Sequence, residues 1–310
     1  MVYPKFPVLA DARLTTPNDQ FKWRICKEKS MTKQYEKYMA EQYNQYYQSG
    51  LYQTRYPNAN PNVLGFIHAH LSLLPLQPTS QVLDFGCGQG RYLLALSTTY
   101  NVHFLGYDIS KRAINDLNEL LQLNQISDKK VRLFSQSKTL EDYLDKKGPV
   151  LLTLMMFGVL SHISKDSERI NTLKKNASQL TPNEGRMLLS VPNRYRRFLA
   201  KQCIKVIKSG RIKNSENIEY TRSNNIKLSY HLYSKRSLLA ELKAANLELL
   251  CLRAESILPE KWVLSHPLIA RLDQALCYLL PSQCSYGFLA LVKPISTKAD
   301  TQIATGGEAC

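Results

Sequence analysis

The stretch QVLDFGCGQGRYLLALS, residues 81–97, decides the fold of this 310-residue chain. It is a short apolar run that ends near Asp84 and continues through Gly86, Gly88 and Gly90 into an amphipathic segment. This order is typical of the first strand-to-helix turn of an open α/β sheet, where ligands bind beyond the carboxyl ends of the strands. Glycines at that turn allow backbone N–H groups to approach a ligand closely. A glycine turn alone is a weak signal, because many folds need a tight turn.

The pattern that follows supports a parallel sheet. After Pro78, short apolar runs alternate with longer amphipathic ones, which predicts strands followed by crossover helices. Such units pair their strands in parallel with right-handed crossovers, so the chain is predicted to be an α/β protein with an open sheet. The predicted strands are 81–85, 102–107, 130–134, 149–156 and 186–191, and the predicted helices between them are 89–98, 110–123, 138–145 and 166–179.

The segments on either side of this pattern predict helical additions. Residues 1–77 form an N-terminal segment with helices over 30–50 and 60–75, and 78–293 form the main domain. Its insertions at 194–233 and 257–283 follow strands and are expected on the substrate side. The small and polar tail 294–310 is predicted to be disordered.

Composition bounds the function. The chain has 41 Lys and Arg against 25 Asp and Glu, a formal charge of +16, which favours nucleic acid, anionic membranes or acidic substrates. A generally basic proteome explains the excess equally well. The seven cysteines show no CxxC spacing and no cluster with histidine, so no metal site and a reduced, cytoplasmic protein are predicted. The N-terminus has no signal-peptide pattern, and no apolar run approaches the ~20 residues that span a bilayer.

The charge at the glycine turn selects the ligand. The spacing is GxGxG, and Asp84 precedes the first glycine by two residues. A carboxylate here repels a pyrophosphate, which disfavours a dinucleotide-dependent dehydrogenase, and attracts a cation. Asp108 ends the second predicted strand, where a carboxylate accepts hydrogen bonds from ribose hydroxyls. An ammonium, a sulfonium and a ribose occur together in S-adenosylmethionine. The alternative is that Asp84 and Asp108 only cap the turn and the next helix.

Four segments resemble successive motifs of class I S-adenosylmethionine-dependent methyltransferases, with the general small-molecule branch nearest. They are VLDFGCGQGRYLLAL, FLGYDISKRAI, LMMFGVLSHI and EGRMLLSVPN, and the resemblance covers residues 80–192 well and 230–293 more loosely. It implies a Rossmann-like, mostly parallel seven-stranded sheet, closed by an antiparallel hairpin from 247–256 and 286–292. It also implies S-adenosyl-L-methionine as the cofactor.

The resemblance implies a role for each matching position. The methionine part of the cofactor would be held by Asp84, Gly86, Cys87, Gly88 and Gly90. Asp108 would hold the ribose, and Ile109 would lie against the adenine. The third strand departs from the family pattern, because Gln136 stands near the place of the usual acidic residue; its amide oxygen can accept the same hydrogen bond.

Methyl transfer from a sulfonium needs an aligned acceptor and the exclusion of water more than a catalytic triad. His162, after the fourth strand, is the candidate base, and the alternative is that it only packs or hydrogen-bonds within its loop. His231 is a weaker candidate near the acceptor. The chain has no [DN]PP[FY] segment and no Pro-Cys pair, which disfavours methylation of exocyclic base amines and of pyrimidine carbon.

Two segments are predicted to shape the acceptor site. Tyr47, Tyr52 and Tyr56 belong to a tyrosine-rich stretch that forms either an aromatic lid or an amphipathic helix packed on the sheet. Residues 194–213, which begin at Arg194, hold eight Lys and Arg and no acid. They suit RNA phosphates, an anionic membrane surface or a phosphorylated substrate, or they form a solvated helix face.

The sequence therefore predicts a methyltransferase that acts on oxygen or nitrogen of a small or lipid-like acceptor. The alternatives are an RNA methyltransferase that uses residues 194–213, and a non-catalytic S-adenosylmethionine-binding protein. The first requires a contiguous basic face that leads to the pocket, and the second requires a blocked acceptor channel.

Overall fold

A computed structural model describes residue 34 and residues 36–209, 216–221 and 226–295. Within these residues the strands are β1 Gln81–Phe85, β2 His103–Tyr107, β3 Val131–Phe134, β4 Leu152–Met155, β5 Arg186–Pro192, β6 Asn217–Thr221, β7 Lys227–His231, β8 Leu247–Ala254 and β9 Gly287–Pro294. Seven of them form one sheet in the order β3-β2-β1-β4-β5-β9-β8, and β6 and β7 form a separate antiparallel pair. The first five strands of the sheet are parallel, and β9 runs antiparallel to both β5 and β8. The predicted fold class, including the closing hairpin, is confirmed.

The helices cover the sheet and extend beyond it. They are α1 at 36–48, α2 Leu51–Arg55, α3 Pro61–Leu71, α4 Leu93–Thr99, α5 Lys111–Leu123, α6 Ser137–Lys147, α7 Asp166–Ser178, α8 Leu199–Ser209, α9 Lys235–Ala244, α10 Glu260–Ser265 and α11 Pro267–Leu279. The segments Val159–His162 and Ser282–Cys284 are 3₁₀ turns. No helix in the described part of the chain is long and apolar enough to cross a bilayer.

The central strands are apolar on both faces, as parallel strands covered by helices require. Leu83 and Leu189 face one core, and Val82 and Leu188, their neighbours in sequence, face the other. All four side chains are fully buried. Because successive side chains of a strand point to opposite faces, each strand contributes to both cores.

The order of the strands places the ligand crevice. β1 pairs with β2 on one side and with β4 on the other, so the chain reverses its direction of winding at β1. In open α/β sheets ligands bind at this switch point, outside the carboxyl ends of the strands. The glycine turn therefore lies where a ligand is expected.

Several predicted element boundaries are wrong, among them the end of the helix predicted over 60–75, which stops at Leu71, and three of the errors have a local reason. The helix predicted from residue 89 begins at Leu93, because Gly90 adopts a positive φ of 81° and keeps the chain in a turn. In the basic segment 194–213 the helix begins only at Leu199, because Phe198 has a positive φ of 57°. The strand predicted over 149–156 is β4 Leu152–Met155, and it ends there because Phe157 and the residue after it also have positive φ.

Some predictions fall outside the described residues: the start of the first helix at 30–33, the end of the basic segment at 210–213, and the tail beyond residue 295. The domain boundaries and the cytoplasmic location stay predictions.

Candidate active site

The glycine turn is fastened to the end of β2. The backbone N–H groups of Gly86 and Cys87 both donate to the carbonyl of Tyr107, at 2.7 and 2.9 Å. Gly88 has a φ of 53°, in the left-handed region that favours glycine. These bonds keep the turn against the neighbouring strand, so the carboxyl ends of β1 and β2 form one concave edge.

Asp108 joins the same edge. Its carboxylate accepts hydrogen bonds from the backbone N–H of Gly88 at 2.9 Å and from that of Ser110 at 2.8 Å. Burial raises the pKa of Asp108 to about 6, although these two hydrogen bonds act to lower it. Each carboxylate oxygen has a second lone pair, so Asp108 retains the capacity to accept two ribose hydroxyls.

Asp84 is the second buried carboxylate of this edge, with 3% of its surface exposed. Burial, with a smaller contribution from the negative charge of Asp108, raises its pKa to about 7. Two buried carboxylates side by side are unfavourable unless a cation compensates them. The site therefore fits a ligand that carries an ammonium and a sulfonium beside a ribose, as S-adenosylmethionine does.

We define the tyrosine cluster as Tyr43, Tyr46, Tyr47, Tyr52 and Tyr56. It covers the glycine turn, because α1 and α2 lie over the edge of the sheet. A Cβ built on Gly88 would lie 2.6 Å from the hydroxyl oxygen of Tyr47, so that hydroxyl occupies the space a side chain at position 88 would need. Burial raises the pKa of Tyr47 well above its usual value, and the charge of Asp108 adds to this effect.

Asn44 fastens α1 over the site. Its side-chain oxygen accepts a hydrogen bond from the hydroxyl of Ser110 at 2.8 Å and from the backbone N–H of Arg112 at 3.1 Å. Ser110 also caps α5 next to Asp108. Helix α1, which carries three of the tyrosines, is thus tied to the first turn of α5, two residues after Asp108.

Arg91 follows the last glycine of the turn and is buried among aromatic rings. Its guanidinium lies 4.8 Å from the ring centroid of Phe157 and 5.2 Å from that of Tyr56. Nε donates to the carbonyl of Asn58 at 2.8 Å, and Nη2 donates to Glu260 at 2.8 Å. Nη1 is buried and has no hydrogen-bond partner in the structure. An orphaned guanidinium nitrogen beside the turn is a ready site for an anionic group.

The aromatic wall continues past the end of β4. The ring of His162 contacts Tyr43 and Tyr230, with centroids 5.5 and 4.9 Å apart. His162 Nδ1 lies 3.1 Å from the carbonyl oxygen of Ser229. Because a carbonyl can only accept, the neutral ring carries its proton on Nδ1 and presents Nε2 as an acceptor.

Two residues predicted at the acceptor site are held by contacts within the protein. His231 is buried between Asn217, 2.7 Å from Nδ1, and Arg169, 3.4 Å from Nε2. Burial and the positive charge of Arg169 lower its pKa to about 3. Arg194 forms an ion pair with Glu216. These contacts favour structural roles for His231 and Arg194 over contact with an acceptor.

The two residues predicted to lie at the adenine are partly or largely exposed. Ile109 is half-buried just after Asp108, as a residue that packs on a flat ring would be. Gln136 follows β3, and its exposed side chain makes no capping hydrogen bond to α6. No group of three or more His, Cys, Asp or Glu side chains in the described ranges could hold a metal ion.

Comparison with known families decides the assignment. A family model described as a methyltransferase domain matches residues 59–252, more than half of the chain. The chain belongs to this family. Together with the strand order, this makes it an S-adenosylmethionine-dependent methyltransferase of the class I fold. No curated protein matches the sequence.

Solved structures similar to this methyltransferase share its fold. A methyltransferase from Clostridium acetobutylicum is 12% identical, with 80% of this chain and 98% of that chain covered and a TM-score of 0.55. The 1,6-didemethyltoxoflavin-N1-methyltransferase of Burkholderia thailandensis, solved with its substrate and S-adenosylhomocysteine, is 16% identical, with 93% and 94% covered and a TM-score of 0.55. A Methanosarcina mazei methyltransferase is 16% identical, with 77% and 100% covered and a TM-score of 0.52. At these identities the likeness establishes the fold and leaves the acceptor open.

Sequence reasoning missed two residues of the site, Arg91 and Asn44. Arg91 stands directly after the last glycine of the turn, and a cation at that place was a usable signal. No signal in the sequence points to Asn44, because its partner Ser110 is 66 residues away and no local pattern links the two.

Proposed function

We propose that this methyltransferase transfers the methyl group to an oxygen or nitrogen of a small or lipid-like acceptor. The observation that supports this acceptor class is the aromatic wall at the end of β4, where Phe157, His162 and Tyr230 meet Tyr43 and Tyr56. Aromatic side chains with few polar groups form sites that enclose flat or aliphatic molecules.

The cofactor is held, in this proposal, by the edge that β1 and β2 form. Asp84 pairs with the ammonium, and Asp108 accepts hydrogen bonds from the ribose hydroxyls. Gly86, Cys87, Gly88 and Gly90 line the methionine part, with Ile109 and Gln136 at the adenine. Tyr47 and Tyr52 cover the methionine part and exclude water from it, whereas Tyr56 reaches the acceptor side.

Arg91 receives the carboxylate of the methionine part. Its unpartnered Nη1 supports this role, since a carboxylate would satisfy the buried donor. The test compares S-adenosylhomocysteine with 5′-methylthioadenosine, which lacks the amino acid. Arg91→Met should weaken binding of the first at least about tenfold and leave the second unchanged. Equal losses for both ligands would remove Arg91 from this role.

When bound, S-adenosylmethionine supplies a methyl group already activated by its sulfonium. The chain's own task is to align the acceptor and to take up its proton. His162 holds its ring by the bond from Nδ1 to the carbonyl of Ser229, so Nε2 is the atom that accepts the proton. A histidine fixed in one tautomer by a backbone carbonyl is suited to this task.

RNA methylation is the second candidate, and the basic segment is what supports it. Three of its arginines, however, are engaged in contacts within the protein. Arg194 pairs with Glu216, Arg196 lies 4.7 Å over the ring of Tyr286, and Arg197 donates to the carbonyl of the same tyrosine at 2.8 Å. These three arginines are therefore already paired within the protein and are not available to RNA phosphates. This favours a small or lipid-like acceptor.

The experiment that tests the acceptor class measures which fraction of cellular molecules receives a labelled methyl group. The protein is incubated with S-adenosylmethionine labelled in the methyl group and with separated RNA, lipid and small-molecule fractions of the source cell. We expect label in the lipid or small-molecule fraction. Label in the RNA fraction would contradict the proposal.

A further inference from the structure

Helix α8 exposes the face that a surface helix normally buries. Leu199, Cys203 and Ile207 recur every fourth residue and are exposed, as is Ile204, and Ile207 shows 82% of its surface. The opposite side is fastened, because the Gln202 amide is buried and donates to two backbone carbonyls. An apolar helical stripe that faces solvent marks an interaction surface.

Helices α10 and α11 expose a second stripe. Leu268, Leu272 and Leu279 lie on one face of α11, and Leu279 is 73% exposed. Trp262 on α10 is exposed as well. The inner face of α11 carries Asp273, which is fully buried and accepts hydrogen bonds from three groups of the segment 256–258. The orientation of α11 is thus fixed, with its leucines outward.

The two stripes belong to one end of the molecule. The side-chain amide of Asn193, just before α8, donates to the carbonyls of Gln283 and Ser285 at 2.7 Å, just after α11. Arg196 donates to the carbonyl of Ile257, just before α10. Both insertions start at the carboxyl ends of strands of the main sheet, β5 and β8, at the edge that holds the glycine turn.

The charge around these stripes has one sign. Helix α8 itself carries Lys201, Lys205 and Lys208 and no acidic residue. In 257–283 the acidic side chains are Glu260, paired with Arg91, and the buried Asp273. Lys261 and Arg271 are exposed beside the leucines. The partner of this surface is therefore anionic and also accepts aliphatic side chains.

We propose that α8 and α10–α11 form a docking surface for an anionic phospholipid bilayer. Leucine and isoleucine gain by entering hydrocarbon, while lysine and arginine stay at the headgroups. RNA provides no apolar surface in which these aliphatic side chains could be buried, because its bases stack on aromatic rings and arginine planes. The proposal concerns binding alone and does not depend on methyl transfer.

The test measures sedimentation of the full chain with vesicles of phosphatidylcholine, with and without phosphatidylserine. We expect binding to the anionic vesicles only, weakened by salt. The double variant Ile207→Ser, Leu272→Ser should weaken it about tenfold. The control is Leu123→Ser on α5, an equally exposed leucine (79%) away from the surface, which should change nothing. Unchanged unfolding temperatures confirm that the variants fold.

A second readout reports insertion. In a Trp23→Phe background, Trp262 is the remaining tryptophan of the chain, and its emission should shift to the blue on anionic vesicles. Absent vesicle binding, or binding that the double variant leaves intact, overturns the proposal. So does tight binding of a single-stranded RNA oligonucleotide without vesicle binding. A dimer that Leu272→Ser dissolves, again without vesicle binding, would assign the surface to a second copy of the chain.

Discussion

The carboxylate of Asp108 accepts a hydrogen bond from the backbone N–H of Gly88, 2.9 Å away. The residue that follows β2 thus holds the turn that follows β1, and the two halves of the proposed cofactor site form one unit. Asp84 lies in the same buried edge, so the site concentrates negative charge before any ligand arrives. The stability of the protein and its affinity for the cofactor are therefore coupled at these residues.

Replacing Asp84 with Asn should change the stability of the protein and its affinity for the cofactor in opposite directions. The pKa of Asp84 in the folded protein, about 7, lies above its ordinary value, so stability falls as pH rises through the window between them and the ionised carboxylate destabilises the fold at pH 8. We expect Asp84→Asn to raise the free energy of unfolding at pH 8 by roughly 2 kcal/mol. It should also weaken S-adenosylhomocysteine binding about hundredfold.

Denaturant unfolding and calorimetry measure these two effects. Asp142→Asn, which removes a half-exposed carboxylate on α6, is the control and should change neither. A destabilised Asp84→Asn protein would contradict the account of the buried charge.

The affinity for S-adenosylmethionine should depend on pH. Below a pH near 7, Asp84 becomes protonated in the free protein, and the ammonium of the ligand then loses its partner. Affinity is expected to fall as pH decreases from 8 to 6, and binding near pH 7 should release protons. Calorimetry in two buffers with different ionisation enthalpies detects that release. A flat affinity over this range would show that Asp84 does not pair with the ligand.

Gly88→Ala should destabilise the protein through two separable causes. The left-handed φ strains any side chain, and the new Cβ would press on the hydroxyl of Tyr47. Together we expect a loss of about 2–3 kcal/mol in the free energy of unfolding. Adding Tyr47→Phe removes the hydroxyl and should recover about 1 kcal/mol in a double-mutant cycle.

Gly65→Ala on α3 is the matched control, because its Cβ meets nothing within 4 Å and the helix favours alanine. It should leave stability unchanged or raise it. Strict additivity of Gly88→Ala and Tyr47→Phe would place Tyr47 away from the turn.

His162→Gln tests the proposed base. Turnover of the acceptor should fall about a hundredfold while the affinity for S-adenosylhomocysteine stays the same. The control is His103→Gln, because Nδ1 of that histidine also lies 2.8 Å from a backbone carbonyl, that of Lys129, at a site remote from the turn. Full activity of His162→Gln would reduce this residue to packing against Tyr43 and Tyr230.

The buried ion pair of Arg169 and Glu241 should contribute strongly to the free energy of unfolding. Arg169 is fully buried and binds Glu241 through two nitrogens, and it also donates to the carbonyls of Ile163 and Ser164 next to His162. Arg169→Met should cost about 3–5 kcal/mol, because it leaves Glu241 buried without its cation. Adding Glu241→Leu should restore much of that loss. Thermal unfolding of the single and double variants is the measurement, and a neutral Arg169→Met would contradict it.

The sheet and its ligand-binding edge could be predicted because they depend on local patterns. Apolar runs of four to eight residues, and carboxylates at the ends of two of them, place Asp84 and Asp108 without any knowledge of distant contacts. The predicted ends of helices and strands are wrong where a single residue adopts a positive φ, as Phe198 does before α8. Such a residue is not expected from the sequence, because aromatic residues rarely take this conformation.

The acceptor side could not be predicted in the same way. His231 and Arg194 looked available in the sequence, yet both are held by residues that only the fold brings near, Arg169 and Glu216. Likewise, the contact of Tyr47 with Gly88 joins two segments 41 positions apart. Periodicity carries no information about such pairs.

Titration calorimetry of S-adenosylhomocysteine against the wild type and Asp108→Ala tests the central claim most directly. We predict saturable binding by the wild type and an affinity at least about a hundredfold weaker in Asp108→Ala, which loses the acceptor of both ribose hydroxyls. Thermal unfolding of the variant confirms that it is folded. A wild type that binds no S-adenosylhomocysteine, or a folded Asp108→Ala with unchanged affinity, would contradict the account of this site.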